Sequence, residues 1–419
     1  MYFYPLLLSL VHVHVARSVL SERQLNSHAL QNKPAKVNAI KDPSYIPDPF
    51  DYVRTMIKYD IQPTLPGALS YNEIISTSPG LMRRSDPLGF TDAHAIPGPV
   101  YAGYRSPVII GEGEDAKTFF VLFDTGSSDF WVFSTLMGAE DLEILNNTRV
   151  LYDPFNSTTA VPTGQTLDAS YFSTTGPFTD AIGFNDTLTI GGFTIKNQTI
   201  GAAVAADVNE TLDYDKLPMD GIMGLSLLGP NRMLPGPARD VLANLFFDGP
   251  ESPASAVFTA SLTRATEPDG FFTFGYIDDD LVGNSTITYI PVPPGSWAWE
   301  VPSQYIIING NRTERLPTAR EPTPTAMIDS GTNQILLSDD ILPLIYEPLG
   351  GMFNTTLQAW VFPANYTPAQ LPTIVLPAGD NDVTLAPEDI IFTPADENWI
   401  VGSIQSRGSY PIDLFGDFG

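Results

Sequence analysis

Phe123-Asp124-Thr125-Gly126-Ser127-Ser128-Asp129-Phe130-Trp131-Val132 closes an apolar run, Thr118 to Phe123, with an acidic turn. Roughly two hundred residues later Asp329-Ser330-Gly331-Thr332 does the same after Ala326 to Ile328. A single Asp-x-Gly is ordinarily just a turn, because Asp bonds its own downstream backbone and Gly tolerates positive φ. Here each copy is followed about a hundred residues on by an apolar pair and Gly, Ile222-Met223-Gly224 and Leu414-Phe415-Gly416. Two copies in matched contexts read as an internal duplication. The expected fold is mostly β, with two similar lobes brought together so that each contributes one Asp. Carboxylates about 3 Å apart cannot both ionise, so such a pair holds one proton and sets an acid beside a base. That arrangement activates water without metal or thiol, and its pKa values belong to the pair.

Composition narrows the chemistry. The chain has no Cys and four His, at His12, His14, His28 and His94. A cysteine nucleophile is excluded, and a Ser-His-Asp triad or a His-rich zinc site has almost nothing to draw on. No metal and no organic cofactor is expected. A paired-carboxylate glycosidase is the rival use of abundant acids, but it does not require two matched Asp-x-Gly turns. Net charge is −27, and it is unevenly spread. Val19 to Arg84 holds eight basic and six acidic residues, whereas Ser85 onward holds twelve and forty-two. Such a body repels itself at neutral pH and loses charge near pH ~4. It also speaks against nucleic acid as a partner.

The first acidic run, with its following Trp131, resembles that of the pepsin-like aspartic peptidases, especially the secreted fungal type, and the resemblance extends from about Tyr104 to Asp417. It implies a bilobal pepsin-like fold of two barrel-like lobes with the active-site cleft between them, and hydrolysis of extended peptide or protein substrates at acidic pH, with hydrophobic residues on both sides of the cut bond. By resemblance Asp124 and Asp329 are the catalytic dyad. Gly126, Ser127, Gly331 and Thr332 form the supporting loops, with the two hydroxyls steadying the carboxylates. Trp131 would stack near a mobile flap whose tyrosine is Tyr171. Asp220-Gly221-Ile222-Met223-Gly224-Leu225 resembles the segment under the first loop. The family commonly has a small residue or Gly after the flap tyrosine, whereas Phe172 and Ser173 stand here. Family members also continue beyond the Gly416-Asp417 pair with closing strands, so the second lobe is expected to be truncated, with an exposed edge. A catalytically inactive binding or inhibitor protein of the same fold is the alternative; all four dyad and hydroxyl positions are filled.

Residues 1–18 carry an apolar stretch from Tyr2 to Val15 and then Ala16-Arg17-Ser18, the pattern of a signal peptide. Residues 19–84 are expected to be a prosegment, with Arg83-Arg84 as a dibasic processing site; no Lys in it can be assigned to the dyad. Residues 85–290 would form the first lobe and 291–419 the second. Nine of twenty Asn begin glycosylation sequons, Asn146, Asn156, Asn185, Asn197, Asn209, Asn284, Asn311, Asn354 and Asn365, all after the prosegment. A secreted glycoprotein is expected, with vacuolar delivery as the alternative. No membrane anchor or oligomer is indicated, and a monomer is expected. Strands are expected at Thr118 to Phe123, Thr187 to Ile190, Phe271 to Phe274 and Thr286 to Ile290. Helical patches are expected over Ala238 to Phe247 and after a Ser338 cap. Pro291 to Pro294 and the Trp297 and Trp299 region would mark passage between lobes, and Asp129 reads as a structural turn residue.

Overall fold

Strand Lys117–Asp124 alternates along its inner part: Phe119, Val121 and Phe123 are buried in a core while Phe120 and Leu122 between them are half-buried. Its last residue is the first acidic Asp, so core packing fixes where that turn begins. Phe123 meets the rings of Phe272 at 4.9 Å and Phe274 at 6.2 Å. Each such aromatic contact contributes about 0.5–1.5 kcal/mol beyond area burial. The structure is a computed structural model and describes residues 11–14, 35–41, 47, 49, 51–69, 103–145, 148–169, 179–206, 219–227, 231–248, 252–253, 255–264, 267–283, 287–317, 322–379 and 381–417.

The first lobe is a six-stranded barrel. Strands Tyr104–Ile110, Lys117–Asp124, Gly221–Gly224, Phe130–Val132, Phe193–Ala206 and Thr179–Ile190 follow one another, and Ile109 opposite Thr189 closes the ring. Strand Ala35–Lys41 extends the sheet from Tyr104–Ile110 to Gly270–Phe274, Val257–Ser261 and an outer strand Val11–His14. Its inward residues Ala35, Val37 and Ala39 are buried. In the second lobe Thr325–Asp329 lies in a five-stranded sheet with Glu300–Pro302, Asp413–Gly416, Ile335–Leu337 and Ile404–Ser406. Two four-stranded sheets complete the lobe.

Each lobe threads its acidic turn in the same way. Gly221–Gly224 runs parallel to the first Asp strand and antiparallel to Phe130–Val132. Asp413–Gly416 runs parallel to the second Asp strand and antiparallel to Ile335–Leu337. Asp124 lies opposite Gly224, and Asp329 opposite Gly416. The duplication therefore exists at the level of backbone register.

A short helix, Asp51–Lys58, packs against the second lobe. Its acid at the N-terminus and lysine at the C-terminus suit the helix dipole. Tyr52, Val53 and Met56 are buried on one face, and Tyr52 and Met56 pack with Met327, Leu336, Val361, Phe392 and Leu414 of the second lobe. The helix ends where Ile61 N–H reaches back to Met56 O at 2.7 Å, with Asp60 in the left-handed region at φ 50°.

Some local expectations change. Residues 287–290 carry no regular structure, because Pro291, Pro293 and Pro294 follow at once and cannot donate to a ladder. Ser338 does not cap a helix: its hydroxyl donates to Asp340, and helix Leu342–Tyr346 starts later with Pro343 in its first turn. The expected patch over Ala238 to Phe247 begins at Val241, where the Asp240 carboxylate accepts from Ala243 N–H at 2.6 Å. Among the described residues no helix is long and apolar enough to cross a membrane.

Candidate active site

The two acidic turns meet across the lobe boundary through their middle residues. Thr125 N–H donates to Ser330 Oγ at 3.1 Å, and Ser330 N–H donates to Thr125 Oγ1 at 2.9 Å. Each hydroxyl then passes its own proton to the strand opposite, Thr125 Oγ1 to Ile328 O at 2.9 Å and Ser330 Oγ to Phe123 O at 2.6 Å. Four reciprocal bonds thus lock the turns together in a site with almost no exposure.

Both carboxylates are fully buried. Gly126 N–H donates to Asp124 Oδ1 at 3.0 Å and Ser127 Oγ to Asp124 Oδ2 at 2.5 Å. Gly331 N–H donates to Asp329 Oδ1 at 2.8 Å, and Thr332 Oγ1 to Asp329 Oδ2. The glycines are required by proximity. A Cβ at Gly126 would strike the Asp329 carboxylate, and one at Gly331 would strike that of Asp124. Each lobe's glycine therefore makes room for the other lobe's acid. Gly224 and Gly416 play a matching part beneath, where a Cβ would enter the backbone of Ser127-Ser128 and of Thr332 and Gln334.

The helix that precedes the first lobe ends in this site. Lys58 Nζ lies 3.2 Å from Asp124 and 3.5 Å from Asp329, and donates to Gly331 O at 3.1 Å. Tyr59 donates its hydroxyl to Asp329 Oδ2, and its ring stands 5.3 Å from that of Tyr410.

Residues 103–418 match the model of the family described as eukaryotic aspartyl protease. The chain is 31% identical over 325 residues to a probable aspartic-type endopeptidase of Arthroderma benhamiae, covering 75% of this chain and 70% of that protein. It is 27% identical over 388 residues to endothiapepsin of Cryphonectria parasitica, covering 90% and 84%. Aspergillopepsin-1 of Aspergillus oryzae is 27% identical over 316 residues, covering 75% and 73%. The chain belongs to the eukaryotic aspartyl protease family.

In this aspartyl protease chain the electrostatics of the two acids differ. Burial raises Asp124 to about 6, with Lys58 opposing and Asp329 adding to the rise. Asp329 is buried too, yet Lys58, Asp124, Thr332 and Tyr59 together hold it below its ordinary value. With Lys58 and Tyr59 in the site, the shared proton of the pair is thus biased toward Asp124. Burial alone would lower Lys58, but the two carboxylates outweigh it and the ammonium is held above its ordinary value. Tyr59 and Tyr410 are pushed up by burial and then by Asp329, so both remain hydroxyl donors.

The other sequence-derived positions separate clearly. Gly126, Ser127, Gly331 and Thr332 all touch a dyad carboxylate or its partner. Trp131 is completely buried beside Phe133, ring centroids 5.4 Å apart, and its Nε1 finds no acceptor among the described residues. Tyr171 lies outside the described residues, as do Phe172, Ser173, Arg83, Arg84, Asn146, Asn209 and Asn284. Asp129 is buried and accepts from Arg232 N–H at 2.7 Å, and Asp220 accepts from Phe120 N–H at 2.7 Å and Val150 N–H at 3.0 Å. Sequence reasoning missed the Thr125 and Ser330 exchange, although the matched hydroxyls in Asp-Thr-Gly and Asp-Ser-Gly were visible. It also missed Lys58, Tyr59 and Tyr410, for which no local signal exists.

Proposed function

We propose that the protein is an aspartic endopeptidase that hydrolyses peptide bonds at acidic pH through a water held between Asp124 and Asp329. The observation that carries this reading is the pair of buried carboxylates on interlocked, symmetric turns, each held by a backbone N–H and a hydroxyl of its own turn. With one proton shared, the ionised member takes a proton from water as it attacks the scissile carbonyl, and the protonated member donates to the carbonyl oxygen. The proton then passes to the leaving nitrogen. Gly126 and Gly331 N–H groups with the Ser127 and Thr332 hydroxyls hold the carboxylates in place, which spares reorganisation during reaction. Tyr171 and Trp131 belong to the flap side of the cleft on this reading.

Residues 19–84 act as a prosegment. Lys58 neutralises the dyad, Tyr59 covers Asp329, and both deny water and substrate the space they fill. Loss of carboxylate charge in acid weakens that hold, and cleavage near Arg83-Arg84 would release the segment. The leader and the sequons fit a secreted, glycosylated zymogen acting as a monomer on protein substrates. The test is cleavage of a protein substrate by the purified chain between about pH 3 and pH 7, beside Asp124→Asn and Asp329→Asn. Acid-dependent cleavage lost in both variants is expected; cleavage retained in either removes the dyad assignment.

A further inference from the structure

The loop 407–411 passes beside the dyad, with the ring of Tyr410 next to that of Tyr59, and receives the chain that leaves it. Ser409 N–H donates to Gln62 O at 2.9 Å, and Gln62 N–H donates to Ser409 Oγ at 2.8 Å. One loop residue thus satisfies both the donor and the acceptor of one residue of a docked peptide, as a strand edge would. Gly408 has φ +50°, and a Cβ there would run into the Gln62 carbonyl and lie 2.7 Å from Ile61. The loop is therefore shaped for close approach of a backbone. Ile61, next to that backbone, is 1% exposed and belongs to an apolar cluster with Met327, Leu336, Val361 and Leu414 of the second lobe.

The loop is braced independently of what docks on it. Arg407 Nη1 donates to Pro411 O at 2.8 Å and stands 3.5 Å from Asp413, while Arg407 N–H donates to Leu337 O at 2.8 Å. Tyr410 N–H closes the turn on Arg407 O at 3.0 Å. Asp413 is itself fully buried and gripped by both guanidinium nitrogens of Arg315. Asp413 lies on the strand paired with the Asp329 strand, opposite Ala326. The edge and the dyad thus share one rigid support.

We propose that Ser409 is a substrate-positioning residue: its N–H and Oγ bind one peptide unit of an extended substrate several residues from the cut bond, a place that Gln62 fills in the present state. The inference rests on the endopeptidase reading above. Specificity for peptide length follows from it, because a short peptide does not reach the loop. Main-chain recognition gives affinity without demanding a particular side chain, and the apolar cluster that Ile61 joins adds a preference for an aliphatic residue beside the bound unit.

The experiment compares acid-activated wild-type protein with Ser409→Ala and Ser409→Thr on peptides of about four and about ten residues sharing one cleavage site. Losing one hydrogen bond lowers the long-to-short ratio of kcat/KM by about 2- to 10-fold in Ser409→Ala, and the retained hydroxyl of Ser409→Thr restores it. A scan of single N-methyl groups along the long peptide should find one position that weakens wild-type KM and leaves that of Ser409→Ala unmoved. An unchanged ratio in Ser409→Ala, or identical N-methyl scans for both proteins, overturns the proposal. Absence of any cleavage by the wild type overturns the endopeptidase reading and this proposal with it, so the two failures are distinguishable.

Discussion

Replacing Lys58 by Met removes the only positive charge placed between Asp124 and Asp329 among the described residues. Its ammonium sits 3.2 Å from one carboxylate and 3.5 Å from the other. At an effective dielectric of about 20, each contact corresponds to roughly 5 kcal/mol of gross Coulomb energy. Desolvation of the three buried charges opposes most of this, and breaking a buried pair costs about 3–5 kcal/mol net. The dyad can respond by taking up a proton, and Asp124, already at about 6, does so at pH 7 for no more than about 1.4 kcal/mol. The docked helix should therefore lose about 2–4 kcal/mol, roughly 30- to 1000-fold in the equilibrium between covered and open cleft. A tetrahedral statine-type analogue binds only the open form, so its apparent affinity is scaled by the open fraction. Calorimetry at pH 7 on the uncleaved chain should show Lys58→Met binding it tighter by that factor. The gap to wild type should shrink toward pH 5, where the dyad of either protein carries less charge. Equal affinity for the two proteins at pH 7 would refute the account of Lys58 as the group that holds the cleft covered.

Three further outcomes follow from named contacts. Asp124 and Asp389 are both raised to about 6 by burial, so each favours the fold below about 3.9 and loses that contribution as pH rises through 6. Denaturant unfolding of the full chain should therefore show stability rising from pH 7 to pH 5, with about 1 kcal/mol of the rise removed in Asp389→Asn; below pH 4 stability should fall as Asp329 and Asp278, both held low, become protonated. Thr125→Val leaves Ser330 N–H buried without its acceptor, and should lower the unfolding free energy by about 2–3 kcal/mol and reduce kcat, with Thr125→Ser recovering both. Site mapping of glycans on protein routed through a fungal secretory pathway should find Asn156, Asn197, Asn311 and Asn365 occupied, since all four are exposed; Asn185 and Asn354, half-buried with their carbonyls already accepting from Thr199 and from Thr356 and Leu357, should be poorly used.

The facing carboxylates and the groups that hold them were legible from the primary structure because the chemistry there is local and repeated. A carboxylate oriented by the N–H two residues on and the hydroxyl three residues on is written within four letters, and the chain writes it twice. The β class followed for a similar reason, since short runs rich in β-branched and aromatic residues, such as Thr118 to Phe123, are a property of neighbours. The covering of the dyad was not legible. Lys58 looks like any lysine at the end of a short amphipathic helix, and it reaches Asp329 across 271 positions of chain. The same holds for Ser409, whose partner Gln62 is 347 positions away. Contacts of that kind depend on how two lobes and an intervening segment pack together. Packing is set by summed burial over many residues, of which no short window of sequence carries more than a fraction, so Lys58, Tyr59 and Ser409 acquire their meaning only once the chain is folded.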